Sequence, residues 1–487
     1  MPTARLRPVA DAVVVGSGPN GLAAALTLAH AGWQVEVVEG SNTIGGGLRG
    51  AELIESGVMH DLCSATHPLA IASPFFTREW DLASRVALVQ PEVPFAHALD
   101  GGRFAIAERS LADTAEGLGG AADAARYRRL LGPLVEHADA LAELFTSRLR
   151  GVPLRADSPA LLAALAPRLL ARLPATIARF SQPQAPALLA GNAAHAVRPL
   201  GGIDAAAVAY LLTALAHAGG WPIARGGSQR IADAMAHDLR SLGGHIHTGR
   251  WVTSLAQLPA APVVLLDLNP HQVASLLPAD ADMAARWWRW WARRYRYGPG
   301  ACTVHYVTTD PIPWLDARAR RAGTIHVGGS FAEVAHAEAR VAAGGHSNRP
   351  FILVGQPTVA DPSRAPAGRH VVWAYCHVPN GSTVDAEPVI TGQIERFAPG
   401  FRDTVVGTHS RTAAQLAVDN PIHAGGDIAV GAASVLGIAL RPVPAWNPYR
   451  TPVPGVYICS SATPPGPGVH GMSGYWAARA ALADRAR

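Results

Sequence analysis

Six residues near the start of the chain, Gly16-Ser17-Gly18-Pro19-Asn20-Gly21, restrict the fold more than any other feature. They follow Asp11 to Val15, where Ala12, Val13, Val14 and Val15 form a contiguous apolar run, the mark of a short buried strand. Leu22 to Ala31 is rich in alanine and leucine and reads as a helix that Gly32 ends. Val35 to Val38 reads as a second strand, and Glu39 closes it about twenty residues beyond the glycines. Strand, glycine turn, helix, strand and acid in this register are the β-α-β dinucleotide fingerprint. Gly16 permits the tight turn, Gly18 lets the backbone approach a pyrophosphate, and Gly21 lets helix and strand pack closely. The helix N-terminus offers unpaired N–H groups and partial positive charge to phosphates. Glu39 is placed to accept bonds from adenosine ribose hydroxyls. The fingerprint alone does not separate NAD from FAD.

The next segment does. Glu39-Gly40-Ser41 leads into Gly45-Gly46-Gly47-Leu48-Arg49. Here the chain resembles the phytoene-desaturase and amine-oxidase group of flavoproteins, in which the acid is followed by a GG pair beside the FAD phosphates and ribityl chain. The amine-oxidase form has arginine directly after that pair. This chain has Gly47 there and Arg49 two residues later, a pattern the phytoene-desaturase-like branch tolerates. Near the other end, Val456 to Ser461 reads as a buried strand, Thr463 to Gly471 as a glycine-proline loop, and Tyr475 to Ala483 as a helix. This is similar to the C-terminal flavin motif of the same group. The resemblance implies that Ser461, Gly471, Met472 and Ser473 lie against the isoalloxazine ring. It also implies cofactor contacts from Ser64 and His67 and from the backbone at Val252. Gly466 to Gly471 again spells the glycine pattern, but too little chain follows for a second strand and acid.

The implied fold is α/β: a Rossmann-like FAD-binding domain of glutathione-reductase type, with an inserted α+β substrate domain. That insertion is expected to hold a mixed or antiparallel sheet and a helical subdomain. The expected boundaries are 1–110, 220–275 and 440–487 for a discontinuous FAD-binding domain, 111–219 for the helical subdomain, and 276–439 for the substrate-binding sheet domain.

Composition bears on what the site can do. Lysine is absent and all 41 basic side chains are arginine, so neither a lysine Schiff base nor a P-loop lysine can form. Amine oxidases of the resembled fold commonly use a lysine–water bridge at flavin N5, which this chain cannot build. The four cysteines, Cys63, Cys302, Cys376 and Cys459, are far apart in sequence, so a redox-active dithiol is not expected. A net charge of +5 without aromatic-interleaved basic repeats gives no expectation of nucleic acid. The apolar run Ala160 to Leu173 is broken by Pro167, Arg168 and Arg172, so no membrane span is expected. The expectation is a cytoplasmic protein, with peripheral membrane contact suggested by the tryptophan- and arginine-rich stretch Arg286 to Tyr295. The alternative for that stretch is a buried aromatic cluster under the roof sheet. His245 and His247 lack a third ligand, and no metal site is expected.

Alternation along His370 to Val378 places Trp373, Tyr375 and His377 on one face. Tyr306, with Cys302 and Val304, is expected to face the same way from a neighbouring strand. Trp373, Tyr306 and His67 are the expected substrate contacts, and His470, His377 and Tyr375 the catalytic candidates, the histidines because they titrate near neutrality. The expected activity is FAD-dependent dehydrogenation or desaturation, with hydride passing from a largely apolar small-molecule substrate to flavin N5. A flavin-dependent isomerase or saturase, or a non-catalytic flavin-bound partner protein, are the alternatives. The sequence assigns neither an electron acceptor nor an oligomeric state.

Overall fold

The computed structural model describes residues 10–148, 157–278, 282–431 and 440–486. Its organising element is a five-stranded parallel sheet. β1 (Ala12–Val15) lies between β2 (Val35–Val38) and β10 (Val263–Leu266). β9 (His245–His247) extends the sheet beyond β2, and β16 (Val456–Ile458) extends it beyond β10. Strands distant in sequence meet here because a parallel sheet needs a crossover between neighbours. Both faces are covered, which explains the unbroken apolar runs. Ala12 and Val14 pack toward the helices Pro19–His30, Gln229–Ser241 and Met472–Arg485. Val13 and Val15 pack toward Val273, Trp288 and Ala292 on the opposite side.

The second sheet has seven strands in the order β15-β11-β14-β13-β12-β6-β7. They are β6 (Val93–Leu99), β7 (Arg103–Ala107), β11 (Gly300–Thr308), β12 (Ala322–Val327), β13 (Ile352–Gly355), β14 (His370–Val378) and β15 (Val405–Arg411). All pairings are antiparallel except β12 with β6, so the sheet is mixed. One face packs on Gln184–Ala194, Ile203–Ala218 and other helices drawn from 111–218. The other packs on Glu387–Phe397 through Ile390, Ile394 and Phe397. Two further antiparallel pairs stand apart from both sheets, the hairpin of β3 (Gly50–Glu52) with β4 (Met59–Asp61), and β5 (Leu88–Val89) with β8 (Ile223–Ala224), strands far apart in the chain.

Several local expectations change. Residues 93–107, expected on the nucleotide side of a boundary at 110, pair into the second sheet. The β-α-β helix begins at Pro19, whose missing N–H costs nothing in the first turn. Val252 lies beyond β9 in irregular chain. The tryptophan-rich stretch forms the helix Met283–Ala292, but it packs on the five-stranded sheet rather than under the roof. Trp288 fills that core, while Trp287 and Trp290 stay 46% and 48% exposed. Ser158–Ile177 is two helical stretches joined across a kink at Arg172 (φ +58°), and by length and composition the whole is long and apolar enough to cross a membrane. Leu162 and Leu170 on it are exposed.

Candidate active site

A single cavity of about 890 Å³ runs from the glycine turn of the first sheet to the helix-covered face of the second. Its first section is the expected cradle, lined by Gly16, Ser17, Gly18, Asn20, Glu39, Gly40 and Ser41. Gly16 has φ +98°, and a Cβ on Gly21 would stand 2.2 Å from the Gly16 carbonyl oxygen, so both need glycine. The Glu39 carboxylate accepts from the Ser17 amide at 2.8 Å, the Ser17 hydroxyl at 2.6 Å and the Ser41 amide at 2.7 Å. It is thereby fixed beside the turn, with Val252 across the cavity. Gly46, Gly47 and Arg49 continue the wall, the Arg49 guanidinium donating to the Ser41 hydroxyl at 2.9 Å. Gly45 and Leu48 lie behind them. The Gly45 amide donates to the Ser17 carbonyl at 3.0 Å and Leu48 is fully buried, so both hold the loop against the turn.

Asp267, at the end of β10, was not anticipated. It lines the cavity and accepts from the Gly21 amide at 3.0 Å. Burial, with the neighbouring Glu39 charge, pushes its carboxyl up to about 7. The signal available was a lone polar residue closing the apolar run Val263–Leu266 at the carboxyl end of a parallel strand, where such sheets bind ligands.

Ser64 and His67 line the next section. The Ser228 hydroxyl donates to the Ser64 carbonyl at 2.6 Å, so it accepts from His67 Nε2–H at 2.9 Å. His67 Nδ1 is then an unprotonated acceptor, and it has no protein partner among the described residues. Burial and the Arg364 charge hold this ring down to about 3. Arg364 and Asp61, both buried, form an ion pair behind it, and the Ser228 amide donates to Asp61 at 2.7 Å.

The C-terminal motif presents its loop rather than its helix start. Ser461, Pro465, Pro467, Gly468, Val469 and His470 line the cavity, whereas Gly471, Met472 and Ser473 lie behind. The Ser473 hydroxyl is within 3.3 Å of the Thr463 and Pro464 carbonyls. His470 is a poor base: its Nδ1 accepts from the Met472 amide at 3.0 Å, so its Nε2–H donates to the Gly466 carbonyl at 3.1 Å. Burial holds it down to about 4. Its ring shapes the loop.

The far section is apolar, walled by Val208, Leu211, Leu212, Trp221, Leu353, Trp373 and Tyr375. Trp373 and Tyr375 face it as expected, and burial pushes the Tyr375 phenol up. Two expectations fail. Tyr306 pairs in register with Val372, putting it on the opposite face, where its hydroxyl meets Thr391 at 2.9 Å. The register places Thr303 and His305, not Cys302, Val304 and Tyr306, beside Tyr375 and Trp373. His377 shares the Tyr375 face but lies outside the cavity, its Nδ1–H donating to buried Glu338 at 2.8 Å.

Cys302 and Cys376 are direct cross-strand neighbours, yet both are free and buried on the opposite face of the second sheet. Burial pushes the Cys302 thiol up to about 11 and Cys376 well above its ordinary value, the reverse of what thiolate chemistry needs. Among the described residues no group of three or more His, Cys, Asp or Glu could hold a metal. His247 instead meets Glu36 at 2.6 Å.

A side-chain-free turn, a fixed ribose-facing acid, an arginine beside the phosphate position and an adjoining aromatic chamber fit FAD. Fold and site together define a flavin oxidoreductase. The family of flavin-containing amine oxidoreductases matches residues 20–372, and this chain belongs to it. It is an FAD-dependent oxidoreductase. It is 29% identical over 417 residues to a phytoene dehydrogenase of Streptomyces griseus, covering 83% of this chain and 79% of that one. It is 27% identical over 303 residues to the rat "pyridine nucleotide-disulfide oxidoreductase domain-containing protein 2", covering 55% of this chain. That match spans about half of the rat protein, 52%. The fold is shared with a putrescine oxidase redesigned at its cofactor site, with TM-score 0.61, 15% identity, and 98% and 99% of the two chains covered.

Proposed function

We propose that the chain is a dehydrogenase or desaturase of the phytoene-desaturase-like branch, acting on a largely apolar small molecule. The observation that carries this reading is the aromatic and aliphatic chamber continuous with the cofactor cradle. Bound FAD supplies two-electron oxidation by accepting hydride at N5. Gly16 to Asn20, Glu39, Ser41, Gly46, Gly47 and Arg49 would hold it. Trp373, Leu211 and Leu212 exclude water and position a substrate carbon by shape. Of the candidate catalytic groups, Tyr375 and His470 line the cavity, His470 with both ring nitrogens committed to the backbone. His67 Nδ1 is a fixed acceptor that takes a hydrogen bond, and the Tyr375 hydroxyl orients substrate. The absence of lysine favours carbon over amine substrates in a site of this kind.

Peripheral contact with a lipid surface belongs to the same reading, supported by exposed Leu162, Leu170, Trp287 and Trp290. Co-sedimentation with vesicles of phosphatidylcholine and phosphatidylglycerol tests it, and no binding at low salt would reject it. The central test is anaerobic mixing of the flavin-loaded protein with a panel of apolar alcohols, ketones and polyenes while absorbance near the flavin maximum is followed. Bleaching with product one double bond richer supports the reading. Turnover only after chemical reduction of the flavin would replace it with isomerase or saturase activity.

A further inference from the structure

One row of the second sheet crosses five strands in register. Thr303, Tyr375, Leu353, His326 and His97 are successive cross-strand partners on β11, β14, β13, β12 and β6. Residues directly opposite one another share a face, so this row faces the helical layer. His326 is fully buried, and its Nε2 lies 3.0 Å from Nε2 of His195, just past the helix Gln184–Ala194. The contact is built into that helix. A Cβ on Gly191, one turn before His195, would stand 2.3 Å from His326 Nδ1, so glycine leaves the space that the imidazole fills. His195 then reaches back along the same helix face.

His195 lines the cavity beside Trp221, Thr324 and Leu353. Its Nδ1 has no protein partner among the described residues. Burial holds His195 down to about 3 and His326 well below its ordinary value, so at neutral pH both rings are uncharged. A neutral imidazole carries one proton, and a bond between the two Nε2 atoms uses one proton. If His195 donates it, His195 Nδ1 is an acceptor. If His326 donates it, His195 Nδ1–H is a donor. His195 can therefore receive a hydroxyl in one tautomer and a carbonyl in the other. Asp204 on the same wall is neutralised by Arg198 at 2.8 Å, so a charged ligand group entering this apolar section would lose its hydration without gaining a counter-charge.

We propose that His195, oriented by His326, is the specificity point of the chamber and selects substrates bearing one neutral oxygen, a hydroxyl or a carbonyl, on an otherwise apolar skeleton. This rests on reading the chamber as the substrate site, but it concerns binding and does not require the dehydrogenation step. An unpaired buried imidazole beside an apolar ligand leaves a polar group unsatisfied, and one hydrogen bond there corresponds to about tenfold in affinity.

The test is calorimetric titration of the flavin-loaded protein with cyclohexanone, cyclohexanol, cyclohexane, cyclohexanecarboxylate and cyclohexylamine. Cyclohexanone and cyclohexanol should bind about tenfold more tightly than the other three. His195→Leu should abolish that preference while cyclohexane affinity stays within about twofold. His195→Gln, which keeps a donor and an acceptor, should retain part of the preference and serves if the leucine variant does not fold. Equal binding of all five ligands, binding of none, preference for the amine or the acid, or an unchanged preference in both variants would overturn the proposal. Flavin bleaching is scored separately, so failure of the redox reading and failure of this one are distinguishable.

Discussion

Replacing Asp267 by asparagine should stabilise the cofactor-free protein, increasingly so as pH rises. The carboxyl is buried against the glycine turn, and its pKa moves from 3.8 to about 7. A folded value above the unfolded one means that the folded state holds the proton more tightly. The favourable contribution is therefore complete below the unfolded pKa and is lost as pH rises through about 7. At about 1.4 kcal/mol per unit, the penalty carried by the wild type is about 2 kcal/mol near pH 5.5 and about 4 kcal/mol near pH 8.5. Asparagine has the same shape, its side-chain oxygen still accepts the Gly21 amide, and it does not ionise. Chemical denaturation of both proteins, stripped of flavin, across this range should give stability curves that converge near pH 4 and separate upward. FAD brings a pyrophosphate toward the same turn, so the variant's affinity for FAD should also fall less between pH 6 and pH 8.5. Parallel curves, or an asparagine variant less stable at pH 8.5, would refute the reasoning, because Asp267 would then be ionised and stabilised by the Gly21 amide.

Other outcomes follow from the same structure. Gly21→Ala forces a Cβ into the Gly16 carbonyl and should yield protein without the yellow flavin absorbance. Arg364→Ala removes the ion-pair partner of buried Asp61 and leaves it the Ser228 amide, at a cost of about 3–5 kcal/mol in a denaturant titration. Trp288→Ala should cost about 3–5 kcal/mol through a cavity in the core, whereas Trp287→Ala should change stability by less than about 0.5 kcal/mol. His377→Gln should leave the flavin spectrum and ligand titrations unchanged, since the ring lies outside the cavity.

What could be read from sequence alone divides along the range of the interactions. The glycine turn, Glu39 and both flanking strands are one contiguous motif in which each residue answers to a neighbour a few positions away, and the structure places them as read. Trp373 and Tyr375 were assigned correctly because alternation within a strand is local. Tyr306 was misplaced because its face depends on which residue of β14 it opposes, a matter of register between strands some seventy residues apart. Asp267 and the His195–His326 pair escaped for the same reason: each acquires meaning only through a partner brought from elsewhere in the chain. The Met283–Ala292 helix shows the other kind of miss. Its amphipathic pattern announced a buried face but not which of two sheets would bury it. His470 was read as a titrating group because of its residue type, yet two backbone bonds over six residues turn it into a loop fastener.

The helix Met472–Arg485 meets Pro19–His30 so closely that a Cβ on Gly474 would stand 1.8 Å from the Asn20 carbonyl oxygen. This contact has a consequence for biosynthesis. The glycine turn leaves the ribosome long before the loop and the strand β16 that complete the cradle and its sheet. The chain between them must be held in a partly assembled state before the flavin site exists, and such long-range closure is slow and exposes apolar edges meanwhile. Flavin capture therefore waits for this helix, and a nascent protein that stalls before it has nowhere to keep the cofactor.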